Sequence, residues 1–342
     1  MEKKRVVIGV SSSIAIYRTL DLIRELKKEG HNLWIIMTEN ATRLVTPIMF
    51  QALSGNPVYY ETFQTKEFRI GHIELAQKGD LLAIVPATAN IIGKLASGVA
   101  DDLLTTLALA FSGPKVIAPA MNDQMWQNPV VQRNCRVLKG FGYEFIGPIY
   151  GTLATGKVGI GHIAPVELIY LRIKSLLLGK KSLKGHRFLI SGGRTESPID
   201  PIRVITNRAS GKMALTLAKV VMARDGGLTL VAGPTEVEIP DWIPMVRVRR
   251  WDELKNELSK RVDDYDCLIM AAAVNDYYAE VAREKLKKDK LKISLKRTPD
   301  ILRSLKSSGF RIGFSLETES HLQFGRRKLK TKLLNLVVVN TI

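Results

Sequence analysis

Apolar residues run unbroken through Val6-Val7-Ile8 and Val10, stop at Ser11-Ser12-Ser13, then recur at Ile14, Tyr17, Leu20, Ile23 and Leu26. The run suits a buried strand and the recurrence is a helical period. They predict a strand over Arg5–Val10, a turn, a helix over 14–29 capped by Gly30, and a strand over Asn32–Met37. Similar buried runs at 81–85 and 115–118 predict further strands with helices between. A polar, basic stretch over 179–186 reads as a linker, after which the pattern restarts. Strand 187–190, the loop Ser191-Gly192-Gly193-Arg194-Thr195, helix 210–225 and strands 228–231 and 267–270 follow. Strands alternating with helices imply an α/β protein with two doubly wound, mostly parallel-sheet domains, 1–178 and 187–342. A length of 342 residues accommodates both.

Composition adds a charge. Hydrophobic residues at 46% and charged residues at 25% are globular values, which exclude disorder and collagen-like repeats. Lys and Arg number 51 against 33 Asp and Glu, a formal +18. Residues 1–180 hold 20 basic and 14 acidic side chains, and 181–342 hold 31 and 19, so the second half carries most of the field. Such a field favours anions: phosphorylated small molecules, nucleic acid or a membrane surface. Zinc-finger spacing and aromatic-interleaved RNA motifs are absent, against a nucleic-acid partner. No run approaches the roughly 20 apolar residues of a bilayer span. Met1-Glu2-Lys3-Lys4-Arg5 before an apolar run imitates a secretory signal without its small-x-small cleavage site, so the expected location is the cytoplasm. Cys135 and Cys267 are too few for a disulfide framework or thiolate metal site, and Cys135 reads as a small buried hydrophobe.

Several loops carry candidate chemistry. A strand entering a helix through Gly9-Val10-Ser11-Ser12-Ser13 offers N–H groups, hydroxyls and a positive helix end to an anion. It is not a G-x-G-x-x-G match, and a tight turn with a serine cap is the plain alternative. Thr38-Glu39-Asn40-Ala41-Thr42 follows the next strand and offers more donors at the same sheet edge. Pro86-Ala87-Thr88-Ala89-Asn90 combines small residues that admit a flat ring with groups that bond its edge. Ala118-Pro119-Ala120-Met121-Asn122 ends the following strand in the same manner. His72 lies between helical stretches, where a lone histidine is more often structural than catalytic.

These motifs, with His72-Ile73-Glu74-Leu75 and residues 94–104, resemble the flavin-dependent cysteine decarboxylases, above all phosphopantothenoylcysteine decarboxylases of coenzyme A biosynthesis. The resemblance implies FMN held by Ser11, Ser12, Ser13, Thr38 and Pro86, Ala87, Thr88, Ala89 and Asn90. It casts His72 as acid/base or orienting group and Asn122 as holder of the substrate carboxylate, in a trimer-based assembly with sites at subunit contacts. The family delivers a late proton from a cysteine in a flexible flap. Here that flap, residues 147–162, has Thr155 in place of the cysteine and His162 in place of an arginine. A threonine hydroxyl is far less acidic than a thiol. Either His162 or water substitutes, or reaction stops at an enethiol.

In the second half, Gly211-Lys212 lacks the leading glycine spacing of a P-loop. The order of residues 191–203, Asn207 to Met213, 271–277, 284–288, 298–302 and 313–318 resembles phosphopantothenate–cysteine ligase, often fused behind the decarboxylase. That family forms an acyl-cytidylate from CTP, which cysteine's amine then attacks. The resemblance implies that Lys285 neutralises growing charge and that Asn207 serves conversion of the cytidylate. By the same resemblance, Met270, Ala271, Ala272, Asp276, Pro299, Asp300, Ile301, Leu302 and Phe314 are expected to line the CTP site, and Lys328 and Lys332 to contact phosphates. Mg2+ is expected with the triphosphate, its ligands unassigned, and the ligase domain is expected to be dimeric. The family strand at Val337-Val338-Val339-Asn340-Thr341-Ile342 has tens of residues after it, so the expectation is a ligase domain short at its C-terminus. Together these features point to a bifunctional enzyme. The alternatives are a flavoprotein that stops at oxidative decarboxylation with an impaired ligase, and a basic, non-catalytic protein that binds anions or nucleic acid.

Overall fold

The buried runs of the first half become strands β1 (Arg5–Val10), β2 (Asn32–Met37), β3 (Val58–Tyr59), β4 (Leu81–Ala87), β5 (Lys115–Pro119) and β6 (Tyr143–Phe145). The computed structural model describes residues 3–61, 71–152, 156–179, 182–286, 293–305, 309–317 and 321–341. It divides into two units, Met1–Lys180 and Lys181–Ile342. In the first, all pairings are parallel, in the order β3-β2-β1-β4-β5-β6. Neighbouring residues of a strand face opposite sides. Val6, Ile8 and Val10 therefore join one core with Leu22, Ile23 and Leu26, while Val7 joins another with Ile84, Leu104 and Leu107. A strand buried on both faces must be apolar throughout, which is why its alternation vanished.

The first helix begins later than its period suggested. Residues Ile14–Ile16 form a tight 3-10 turn, and the α-helix is Tyr17–Lys28, buried through Thr19, Leu22, Ile23 and Leu26. Ile14 and Tyr17 continue the apolar period yet are 68% and 49% exposed. Gly30 ends this segment at φ 81, where the missing Cβ matters. The flap forms an antiparallel hairpin of β7 (Ile149–Thr152) and β8 (Val158–His162).

The second unit contains β9 (Arg187–Gly192), β10 (Glu196–Pro198), β11 (Val204–Thr206), β12 (Gly227–Ala232), β13 (Met245–Arg247), β14 (Cys267–Met270), β15 (Tyr277–Ala279), β16 (Leu295–Arg297), β17 (Phe310–Glu317) and β18 (Leu336–Thr341). Its parallel sheet, β13-β12-β9-β14-β17-β18, winds like the first, and β10-β11 and β15-β16 are small antiparallel ribbons. Each sheet reverses direction beside its first strand, between β1 and β4 and between β9 and β14. Ligands of such folds bind at the carboxyl ends of the strands near that reversal. No helix of the described residues is long and apolar enough to cross a membrane.

Candidate active sites

In the first unit, the loops after β1 and β4 are tied together by Ser11. Its hydroxyl donates to the Pro86 carbonyl at 2.8 Å and accepts from the Thr88 N–H at 3.0 Å. Ser11 is buried, so its hydroxyl shapes the edge rather than facing a ligand. Thr38, Thr88 and Ser13 each cap the element that follows, accepting from the N–H of Ala41, Ile91 and Ala15. The buried Ala87 carbonyl accepts from Ala120 N–H at 3.0 Å, Ser12 and Ala89 are half-buried, and Asn90 is exposed.

A cavity of about 350 Å³ opens at this edge, lined by Ser13, Ile14, Ala15, Tyr17, Ala120, Met121, Asn122, Thr152, Gly161, His162 and Ile163. Among the described residues no carboxylate lines it. Ser13 and Asn122 are the expected site residues that meet there, with His162 from β8. Ile14 and Tyr17 were not foreseen as site residues; two large apolar groups at a helix entrance look like core. Asn122 caps the helix Asp123–Gln127 through Oδ1, 2.9 Å from Gln124 N, so its carbonyl is fixed by the local fold. β8 is pressed against this loop: Met121 N–H donates to the Gly161 carbonyl at 3.1 Å. A Cβ at Gly161 would stand 2.2 Å from the Met121 carbonyl oxygen, and one at Gly159 2.9 Å from Asp123 Cβ. His162 Nδ1 lies 2.8 Å from the Ile163 carbonyl. His72 stands in the first turn of the helix Gly71–Lys78 rather than between helices, and Thr155 lies outside the described residues.

The second unit holds a cavity of about 540 Å³ reached by β14 and β17. Met270, Ala272, Asp276, Pro299, Asp300, Ile301, Leu302, Phe314, Lys328 and Lys332 all line it. Ala271 does not: strand alternation turns it to the other face, against the core beneath the helix Lys212–Ala223. Lys285 is exposed and outside the lining. Its neighbour Leu286 is gripped at both backbone groups, the N–H by Asp200 at 3.2 Å and the carbonyl by Arg203. Asp200 is itself buried, and the N–H of Ile202, with those of Arg203 and Leu286, holds its carboxyl below the usual carboxylate range. Asn207 also lies outside the lining, where its Nδ2 donates to the Ala273 carbonyl at 3.2 Å.

Charge in this cavity is organised by pairing. Lys332 meets Asp300, which also caps the helix Ile301–Ser304, and Lys328 donates to the Phe314 carbonyl. Arg297 and Arg303 add two cations that flank the expected Thr298–Leu302 motif and were missed, because exposed arginines in a basic chain carry no period. Arg311, 6% exposed, donates to the carbonyls of Leu302 at 3.0 Å and Leu305 at 2.6 Å, fixing the cavity wall from behind. Among the described residues no three His, Cys, Asp or Glu side chains converge as a metal site.

The chain thus has two α/β units of Rossmann strand order, each with a ligand-sized cavity. Residues 1–178 match the family model described as flavoprotein, and residues 183–342 match the DNA/pantothenate metabolism flavoprotein C-terminal domain. The coenzyme A biosynthesis bifunctional protein CoaBC of Vibrio vulnificus (strain YJ016) is 38% identical over 99% of this chain and 87% of its own length. The protein of the same name from Bacillus subtilis (strain 168) is 38% identical over 100% of this chain and 87% of its own. The crystal structure of the FMN-dependent cysteine decarboxylase SpaF is 31% identical over 52% of this chain and 96% of its own, with a TM-score of 0.46. The chain belongs to the family of coenzyme A biosynthesis bifunctional proteins, and is an enzyme with decarboxylase and ligase activities in that pathway.

Proposed function

We propose that the second unit uses CTP to join cysteine to 4′-phosphopantothenate and that the first unit, with FMN, decarboxylates the product to 4′-phosphopantetheine. The observation that carries this reading is the contrast between the two cavities. One has apolar walls, hydroxyl and amide groups and no carboxylate among its described lining; the other is ringed by Arg297, Arg303, Lys328 and Lys332. The first fits the reacting end of a small substrate held at Asn122 beside the loop of Ser13, the second a polyphosphate.

When bound, FMN supplies a two-electron acceptor for the substrate thiol, which places an electron sink beta to the departing carboxylate. Ser12, Ser13, Thr38, Thr88 and Asn90 hold it through the loops at the carboxyl edge, with Ser11, Pro86, Ala87 and Ala89 shaping that edge. Asn122 binds the substrate carboxylate through Nδ2, its Oδ1 being engaged by Gln124 N–H. Ile14 and Tyr17 exclude water from the scissile bond, and His72 acts as acid/base or orienting group in a trimer-based assembly.

In the ligase unit Met270, Ala272, Pro299, Ile301, Leu302 and Phe314 form the nucleotide walls, and Asp276 contacts the nucleotide. Lys328 and Lys332 take its phosphates, Lys332 exchanging its Asp300 partner for phosphate oxygen. Lys285 stabilises charge as the carboxylate is activated, and Asn207 serves the attack of cysteine. Mg2+ enters with CTP; Asp276 and Asp300 are the cavity's two described carboxylates, a donor set suited to a nucleotide-bound cation rather than a resident one. This unit is proposed to dimerise.

The test supplies FMN, CTP, Mg2+, 4′-phosphopantothenate and cysteine to the full chain. One pyrophosphate and one CO2 per cysteine consumed are expected. Pyrophosphate without CO2 would refute the decarboxylase half, and the absence of both would refute the reading.

A further inference from the structure

We propose that His162 is the acid that protonates substrate carbon after CO2 has left. The proposal rests on the decarboxylase reading above and adds the group that completes its second half. After decarboxylation the substrate is an enethiol, R–NH–CH=CH–SH. To become saturated it must gain a proton on the carbon next to nitrogen and lose its thiol proton, giving R–NH–CH2–CH=S. The hydride removed when the thiol was first oxidised then returns to the sulfur-bearing carbon, and a solvent proton goes to sulfur. Electrons balance without a new reductant. The demanding step is delivery of a proton to carbon, which needs a positioned acid of suitable strength.

Among the described residues, the cavity that contains Asn122 offers few groups for this. Ser13 and Thr152 are alcohols, Tyr17 is a phenol, and His162 is the one imidazole. Of these side-chain types, imidazole is the one most used as a general acid in proton transfer. Thr155, the residue at the expected donor position, is also an alcohol.

The orientation of the ring singles out one nitrogen. His162 Nδ1 is 2.8 Å from the Ile163 carbonyl oxygen, which can only accept a hydrogen. Nδ1 therefore keeps its hydrogen in both the neutral and the charged ring, and Nε2 is the atom that gains and loses the proton. The backbone just before His162 is tied to the backbone just before Asn122, the residue proposed to hold the substrate. Met121 N–H bonds the Gly161 carbonyl at 3.1 Å, and β8 lies so close that Gly161 has no room for a side chain. His162 and Asn122 each directly follow a residue of this bonded pair and line one cavity, so a substrate held by Asn122 lies in the cavity that His162 also lines. Transfer from Nε2–H to carbon leaves a neutral imidazole, which solvent reprotonates through the mouth of the cavity.

The test uses the FMN-loaded full chain with phosphopantothenoylcysteine under anaerobic conditions, following CO2, flavin absorbance and product mass. For His162→Gln we expect the first-turnover CO2 burst to persist, the flavin to stay reduced and the enethiol to accumulate. Formation of phosphopantetheine should fall by ~10²–10⁴, the usual contribution of a general acid. FMN titration should match the parent, showing that the site has folded. In His162→Ala, added imidazole should restore the saturated product without changing the CO2 burst, which a structural role would not allow. Phosphopantetheine formed at the parental rate by His162→Gln, or a defect in His162→Ala that imidazole leaves untouched, would overturn the proposal. So would a parent protein that releases CO2 but accumulates enethiol. A parent that releases no CO2 would refute the decarboxylase reading, and His162's role with it.

Discussion

Gly161→Ala isolates the contact that joins β8 to the Asn122 loop. The backbone of Gly161 is not in the left-handed region, so alanine brings no conformational penalty and its methyl acts by volume alone. That methyl would begin 2.2 Å from the Met121 carbonyl oxygen and must recede to at least 3.0 Å, a displacement of about 0.8 Å borne by backbone on one side or the other. Losing the Met121 N–H bond to the Gly161 carbonyl costs about 0.5–1.5 kcal/mol net. Overpacking adds about 1–3 kcal/mol, so the first unit should lose roughly 1.5–4.5 kcal/mol. Asn122 follows Met121 directly, and a misplacement approaching ~1 Å at a positioning residue costs on the order of 10²-fold in rate. The assay measures anaerobic CO2 release, urea-induced flavin release and ligation on one preparation. CO2 release should fall ~10–100-fold, flavin should be lost at lower urea, and ligation in the other unit should be unchanged. Gly140→Ala, at the end of the helix Pro129–Gly140 with nothing within 4 Å of its new methyl, is the matched control and should change neither. Parental CO2 release and flavin retention in Gly161→Ala would refute the packing argument.

Burial pushes the Cys267 thiol up to about 11 and raises that of Cys135, so neither should react with iodoacetamide at pH 8 until urea is added; a labelled native chain in a mass spectrum would contradict this. Burial also holds the His31 imidazole below its ordinary range, with Nδ1 accepting Lys4 N–H at 3.3 Å. The folded state then binds fewer protons there than the unfolded state, so this stability is present above pH ~6.5 and is lost as pH falls towards the folded value. His31→Gln should flatten the fall in first-unit denaturation midpoint between pH 7.5 and 5, and an unchanged slope would exclude His31 as its source. Arg311→Met removes two charged hydrogen bonds and leaves the Leu302 and Leu305 carbonyls buried without this partner. It should destabilise the second unit by about 2–4 kcal/mol and weaken CTP binding while FMN uptake persists; unaltered CTP affinity by calorimetry would show that the wall does not depend on Arg311.

Elements with dense local signals are legible in the sequence alone. β1, β2 and β14 fall at the residues the apolar runs implied, because a strand buried on both faces is uniformly apolar and ends at turn formers. The hairpin β7–β8 was less legible: its burial alternates weakly through glycines that exist to approach the Asn122 loop, not to pack a core. Ile14 and Tyr17 obeyed a helical period but sit at the entrance of the helix, past the sheet face that would have covered them. Ala271 belonged to an expected motif, and its orientation depended on strand parity relative to Met270 and Ala272.

By itself, the sequence determined two α/β units, because runs of apolar residues, turn formers and helical periods are statements about neighbours along the chain. Tertiary structure alone decided which loops share a cavity, that the Ser11 hydroxyl is engaged between strands and that Lys332 is paired with Asp300. Those outcomes depend on contacts between residues as far apart as Ser11 and Pro86, or Met121 and Gly161, whose partners are chosen by sheet order and packing rather than by local propensity.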